Sequence, residues 1–252
     1  MNIVIGFVVL AVAFSVLESL WPEVQEQPRW RKDSFTDLIY FFFNGVITRF
    51  AAAALLAIAI GLTAHGIARS GASIVGGQPR AVQVLEVLLL GDLVGYWTHR
   101  AFHLVPWLWR FHAIHHSPTQ VDWLAASRVH PVESIISRMA SVLVIYFAGF
   151  TSTVVAGYAP FLALYPIFLH CNLDWTYGPL RWLIASPGWH RWHHSADAEV
   201  LNKNFSGLFP FMDALFGTVY FPRHRPANYG LSGYTVPKGI ARQLAFPFGP
   251  SR

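Results

Sequence analysis

The sequence predicts an all-α integral membrane protein. It has about four to five apolar helices, two of them a hairpin of short spans, and a histidine-rich helical cap on the cytoplasmic face. Three observations predict it. Hydrophobic residues make up 54% of the 252-residue chain and charged residues only 12%, about half the charged share of an ordinary soluble domain. The apolar residues fall in runs close to the length of about 20 residues that a bilayer core requires. The chain carries 12 histidines, most of them in short motifs between and after those runs. The single cysteine, Cys171, excludes an intramolecular disulfide framework and a multi-cysteine zinc site. The formal charge of +5 fits loops beside an anionic membrane surface, so a membrane lipid is the expected partner and nucleic acid is not.

The first apolar run, Ile3 to Leu20, closes at Trp21-Pro22. It lacks the basic start and small-residue cleavage site of a signal peptide, which predicts a retained span. The second, Leu38 to Ala64, carries Arg49 near its middle, so a kink or a protein-facing arginine is expected. The third, Ala81 to Tyr96, holds Glu86 and Asp92. The stretch Val132 to Tyr165 is too long for one helix, and the segment from Gly149 to Thr153 predicts a break into a hairpin. Pro160 and Pro166 predict irregularity in its second half. Arg29, Arg31 and Lys32 follow the first span, while the loop between the second and third holds only Arg69 and Arg80. The positive-inside bias then puts the N-terminus outside and every histidine cluster on the cytoplasmic face. A bacterial inner membrane is favoured, or endoplasmic reticulum if the source is eukaryotic.

The histidine spacing points to metal. His99 and His103 are four apart, so on a helix they share one face and can grip one ion. His112, His115 and His116 form H-x-x-H-H, and His190, His193 and His194 repeat it. In each triplet one pair shares a face while the adjacent pair points two ways, so one motif can serve two ions. His170 ends the last apolar run, as a ligand or as a buried hydrogen-bonding partner. These nine imidazoles are about what a binuclear site needs, whereas a structural zinc site takes about four ligands. Asp92, seven residues before His99, is expected to accept a ring N–H from a ligand histidine. Asp197, with Asp122 and Asp174, has the same expectation. His130 is a possible tenth ligand, or orients substrate or a loop. His65 and His224 read as surface residues. Trp97, Trp107, Trp109, Trp123, Trp175, Trp189 and Trp192 form interfacial belts or line a substrate route. A zinc-dependent membrane lipid hydrolase is the alternative reading.

Taken in order, the motifs resemble the fatty acid hydroxylase superfamily, the membrane di-iron group that includes sterol desaturases. The resemblance rests on D-x6-H-R-x-x-H from Asp92, H-A-I-H-H from His112, H-P-V-E from His130, the His170-Cys171-Asn172 segment and H-R-W-H-H-S-x-D from His190. N-K-N-F-S-G and D-A-L-F-G-T follow downstream. It implies short membrane helices below a cytoplasmic cap, two iron ions held by the histidines, and O2-dependent hydroxylation or desaturation of a lipid. It also implies a separate reductase and an electron carrier of ferredoxin or small haem protein type. Residues 1–80 are then N-terminal spans, 81–225 the di-iron catalytic domain and 226–252 a tail, in one structural unit. Asn204 is expected behind the ligands, fixing the cap. Where relatives have a second paired-histidine motif this chain has H-C-N-L-D. Asn172 contributes through a water, or the site has one nitrogen fewer.

Overall fold

The computed structural model describes residues 3–64 and 74–250. The expectations for His65 and Arg69 fall outside them. Among the described residues nine α-helices follow one another: α1 (Ile3–Leu20), α2 (Ser34–Ala64), α3 (Arg80–Leu104), α4 (Pro106–His116), α5 (Pro131–Ala148), α6 (Ser152–His170), α7 (Pro187–His193), α8 (Pro210–Leu215) and α9 (Ile240–Ala245). The described residues form no strand, only one isolated bridge between Ser195 and Tyr229. Helices α1, α3, α5 and α6 are long and apolar enough to cross a membrane. In α1 only Gly6 and Phe14 are buried, so most of its apolar surface is left for lipid. This is a membrane protein.

The long helices alternate in direction. α1, α3 and α6 end where α2 and α5 begin, and that shared end carries the histidines. There, Glu18 of α1 accepts hydrogen bonds from the backbone of Asn172 (2.9 Å) and Trp123 (3.0 Å). At the opposite end, Gln83 near the start of α3 accepts from the backbone and hydroxyl of Thr151 at 3.1 and 3.0 Å. The α5–α6 hairpin breaks where expected. Gly149 takes φ 88°, a left-handed conformation that suits glycine, and ends α5.

Three features depart from the sequence reading. α6 runs unbroken through Pro160 and Pro166. α2 starts at Ser34, four residues earlier than the apolar run. α3 extends beyond Tyr96 to Leu104, so one rod is both membrane span and carrier of His99 and His103. The helix pair α3–α6 meets at Gly91, where a Cβ would lie 1.9 Å from the Tyr158 hydroxyl. Only a residue without a side chain permits that approach.

Arg31, read as a loop charge, is buried. It grips Asp122 with two bonds of 2.6 and 2.5 Å and reaches Asp37 at 2.6 Å. Asp37 also binds Arg128 at 2.5 Å. This network ties the α1–α2 loop and the start of α2 to the loop after α4. Within it the Asp122 carboxylate accepts from Arg31 and from the backbone of Ala125.

Candidate metal centre

The nine motif histidines fall into two groups. His99, His103, His112, His116 and His193 form one, and His115, His170, His190 and His194 the other, with the ligating atoms of each group within 4.8 Å of one another. Helix geometry explains the split. On α4, His112 and His116 are one turn apart and face the first group, while His115 turns to the second. α7 mirrors this: His190 and His194 join the second group and His193 the first. α3 adds a pair to the first group, α6 a single histidine to the second. The five-to-four asymmetry therefore falls on the α6 side, where Asn172 stands.

Backbone carbonyls fix the imidazole orientation. His99 Nδ1 lies 2.9 Å from the Phe205 carbonyl, His193 Nδ1 2.7 Å from Lys203, His115 Nδ1 3.2 Å from Arg128 and His170 Nδ1 2.6 Å from Pro166. A carbonyl only accepts, so in each ring Nδ1 is the protonated nitrogen and Nε2 is left with a bare lone pair. Yet His115 and His170 bring their Nε2 atoms to 3.1 Å. His99 Nε2 also lies 3.1 Å from His112 Nε2, and the His112 Nδ1 is 2.7 Å from Glu133 Oε1 rather than from a carbonyl. Two lone pairs at that distance repel unless a cation lies between them. The separation also matches the edge of a coordination polyhedron, about 2.9 to 3.4 Å for metal–nitrogen bonds near 2.0–2.1 Å. The residues present thus fit a metal pair.

The protonation state agrees. Burial, and next the neighbouring histidines, hold His112, His115, His116, His190, His193 and His194 well below the ordinary imidazole range, hence neutral and able to ligate. His103 Nε2 and His193 Nε2 are buried with no hydrogen-bond partner among the described residues. The second group is wholly buried, whereas His99 and His103 keep partial exposure. The first group is therefore the approachable one. Trp109 packs against His103 (ring centroids 5.1 Å) and His116 (5.7 Å), and Tyr234 of the tail comes within 6.1 Å of Trp109. Of the seven tryptophans singled out above, Trp109 lines this side. Trp189, on α7, is fully buried, and Trp97 and Trp107 are exposed.

Several predicted roles need correction. Asp92 does not hold a histidine ring: its carboxylate accepts the backbone N–H groups of Gly207, Leu208 and Phe209 at 2.7–2.9 Å. Seven residues of helix separate Asp92 from His99 by about 10 Å along the axis, too far for a shared bond. Asp197 accepts from the backbone of Ala227 at 3.4 Å and touches no motif histidine. Asn204, at φ 58°, donates to the carbonyls of Trp189 and Tyr220 and accepts from Tyr220 N. It acts on the centre through its neighbours, since the carbonyls on either side of it hold His99 and His193. Asn172 spends both ends of its amide on the backbone of Val24. His130 caps α5 through Nδ1 and reaches the Leu244 carbonyl through Nε2, so neither nitrogen is free for a metal. The carboxylate that does hold a ring is Glu133, on the first turn of α5. It lay inside the H-P-V-E motif, but no spacing rule connected it to His112.

Residues 84–218 match the model of the fatty acid hydroxylase family. The chain belongs to that family. The fatty acid hydroxylase match runs from within α3 to just beyond α8 and takes in all nine histidines. An ornithine lipid hydroxylase from Rhizobium tropici is 33% identical over 171 residues, 68% of this chain and 51% of that protein. Human alkylglycerol monooxygenase is 29% identical over 142 residues, 56% of this chain and 31% of that one. A putative methylsterol monooxygenase from Dictyostelium discoideum is 28% identical over 138 residues, 52% and 47%. The chain spans about half the length of the first and third of these curated relatives, and less of the second. No solved structure matches. The hydrolase alternative finds no support among these relatives.

Proposed function

We propose that this protein is a membrane di-iron oxygenase that hydroxylates a lipid C–H bond with O2 and external electrons. The observation that carries the reading is the pair of adjoining histidine groups whose bare Nε2 atoms face one another in a buried, neutral cradle. The five imidazoles of the first group and the four of the second would each hold one ion. Iron is favoured over zinc because relatives named hydroxylase and monooxygenase carry out oxidations. When bound, the metal pair supplies O2 activation. The balance is one lipid C–H, one O2, two electrons and two protons going to one C–OH and one water. Those relatives favour hydroxylation over desaturation, and lipids of the membrane as the substrate class.

The chain's own residues do the positioning. Four carbonyls and Glu133 lock the ring tautomers, so the ligand lone pairs need no reorganisation. Burial of the second group keeps water from it, and the half-exposed His99–His103 edge beside Trp109 gives substrate its approach. Residues 81–225 form the catalytic region between the N-terminal spans and the tail, with the cap facing the cytoplasm and a bacterial inner membrane favoured. No residue supplies a redox cofactor of its own in this reading, so a separate reductase and a ferredoxin or small haem protein deliver the electrons.

The test is lipidomics of a host expressing the wild type or His193→Ala, with metal analysis of both proteins. A new oxygenated lipid that depends on His193, together with about two irons per chain, is expected. Lipid hydrolysis that persists without O2 in an iron-free protein would sink the reading.

A further inference from the structure

Beside α7, on the side away from the histidines, the cap carries a hollow of about 720 Å³ that opens to the surface. Gly188 and Trp192, one turn apart, form its floor, while His190, His193 and His194 face the opposite way. Its walls bring together Arg181, Arg223 and Arg225 with the aromatic rings of Trp182 and Phe221. The Arg181 guanidinium lies over both rings, 4.6 Å and 4.7 Å from their centroids. None of these three arginines has a carboxylate partner among the described residues; Arg181 and Arg225 bond only backbone carbonyls, those of Phe221 and Glu23. Of the two wall carboxylates, Glu23 is already taken by Arg191 and the Tyr229 hydroxyl, which leaves Asp174. The hollow is therefore net cationic, and guanidinium groups in such an array match the oxygens of a phosphate.

Its depth says where that phosphate comes from. Glu23 lies three residues beyond the end of α1, just past Trp21, whose ring packs at a tilt against Trp175 with centroids 5.6 Å apart. Tryptophans gather at the membrane interface, and the headgroup layer beyond the hydrocarbon is about 5–8 Å thick per side. Beside the hollow, Leu180, Trp182 and Leu183 are exposed by 55%, 46% and 50%, an apolar ridge suited to the acyl boundary. We propose that this hollow holds the phosphate headgroup of an anionic membrane phospholipid, distinct from the lipid that is oxidised because α7 separates the two sites. The assignment depends on the chain lying in a membrane and not on the oxidation.

Native mass spectrometry of the full chain in detergent tests it, with phosphatidylglycerol, diacylglycerol of the same acyl chains, and inorganic phosphate as probes. Phosphatidylglycerol should be retained about tenfold better than diacylglycerol, the worth of one or two charge-assisted hydrogen bonds. Arg223→Gln should abolish that preference; its side chain is exposed. Arg29→Gln, an exposed arginine outside the hollow, should leave it intact. Equal losses in both variants would reduce the effect to general charge and overturn the site. Inorganic phosphate that displaces the lipid at equal concentration would make this a solute site. If phosphatidylglycerol shows no preference and an acidic [2Fe–2S] ferredoxin cross-links to the wild type but not to Arg223→Gln, the hollow docks a protein and the lipid assignment fails.

Discussion

At the residue scale, which nitrogen a histidine leaves bare decides its use. His130 and His190 show the contrast. Both nitrogens of His130 are occupied by Val132 and Leu244, whereas His190 presents Nε2 to two other imidazoles at 3.2 Å. His130→Gln should therefore keep full iron occupancy at a cost of about 1 kcal/mol for the lost helix cap, while His190→Ala should lose metal from the second group. Plasma emission analysis of the purified variants separates the two. Glu133→Gln should keep the fold and weaken metal binding by about 10- to 100-fold, read by competition with a chelator. The gathering of the nine histidines into two groups is legible in the sequence because imidazoles three and four apart carry their own geometry. Asp92 was misread because a shared helical face does not mean a shared height. Glu133 was not legible as a partner, because α5 brings it to His112 from 21 residues away.

At the element scale, the apolar runs located the spans but said little about their ends. The apolar run places the end of α3 at Tyr96, where polarity rises, yet the helix continues to Leu104, where the half-buried His99 and His103 meet protein groups such as the Phe205 carbonyl and the His112 ring. The prolines of α6 predict irregularity by a rule that weighs lost hydrogen bonds in water, yet the helix is continuous from Ser152 to His170. Helices in lipid tolerate them when neighbouring groups meet the freed carbonyls. Close packing of α3 on α6 has a sharper consequence at Gly91. A methyl group there would overlap the Tyr158 hydroxyl at 1.9 Å and its ring carbon at 2.6 Å. Gly91→Ala should destabilise the protein by about 1–3 kcal/mol, seen as a lower Tm in detergent. Tyr158→Leu in the same chain should recover part of the loss, and strict additivity of the two changes would show that the contact is not the cause.

At the scale of the whole molecule, the helix ends converge on a cluster of neutral imidazoles that the fold must hold together without metal and with it. The unfolded chain binds protons on these histidines below their ordinary pKa of 6.5, while burial and mutual repulsion keep six of them from doing so in the folded state. The unfolded state then carries more protons, so stability rises with pH through this window and is lost as pH falls below about 6.5. Each histidine contributes up to about 1.4 kcal/mol per pH unit. Six acting together would exceed the whole stability of an ordinary domain within two units, so the metal-free protein should unfold cooperatively in mild acid. Bound metal competes with the same protons for the same lone pairs and adds stability in proportion to its affinity. Thermal unfolding of metal-free and iron-loaded protein between about pH 7.5 and pH 5.5 should show the loaded form higher throughout, with its advantage shrinking as acid releases the metal. A metal-free Tm that does not change over that range would mean the imidazoles take up protons within the fold, and the neutral cradle on which ligation rests would be wrong.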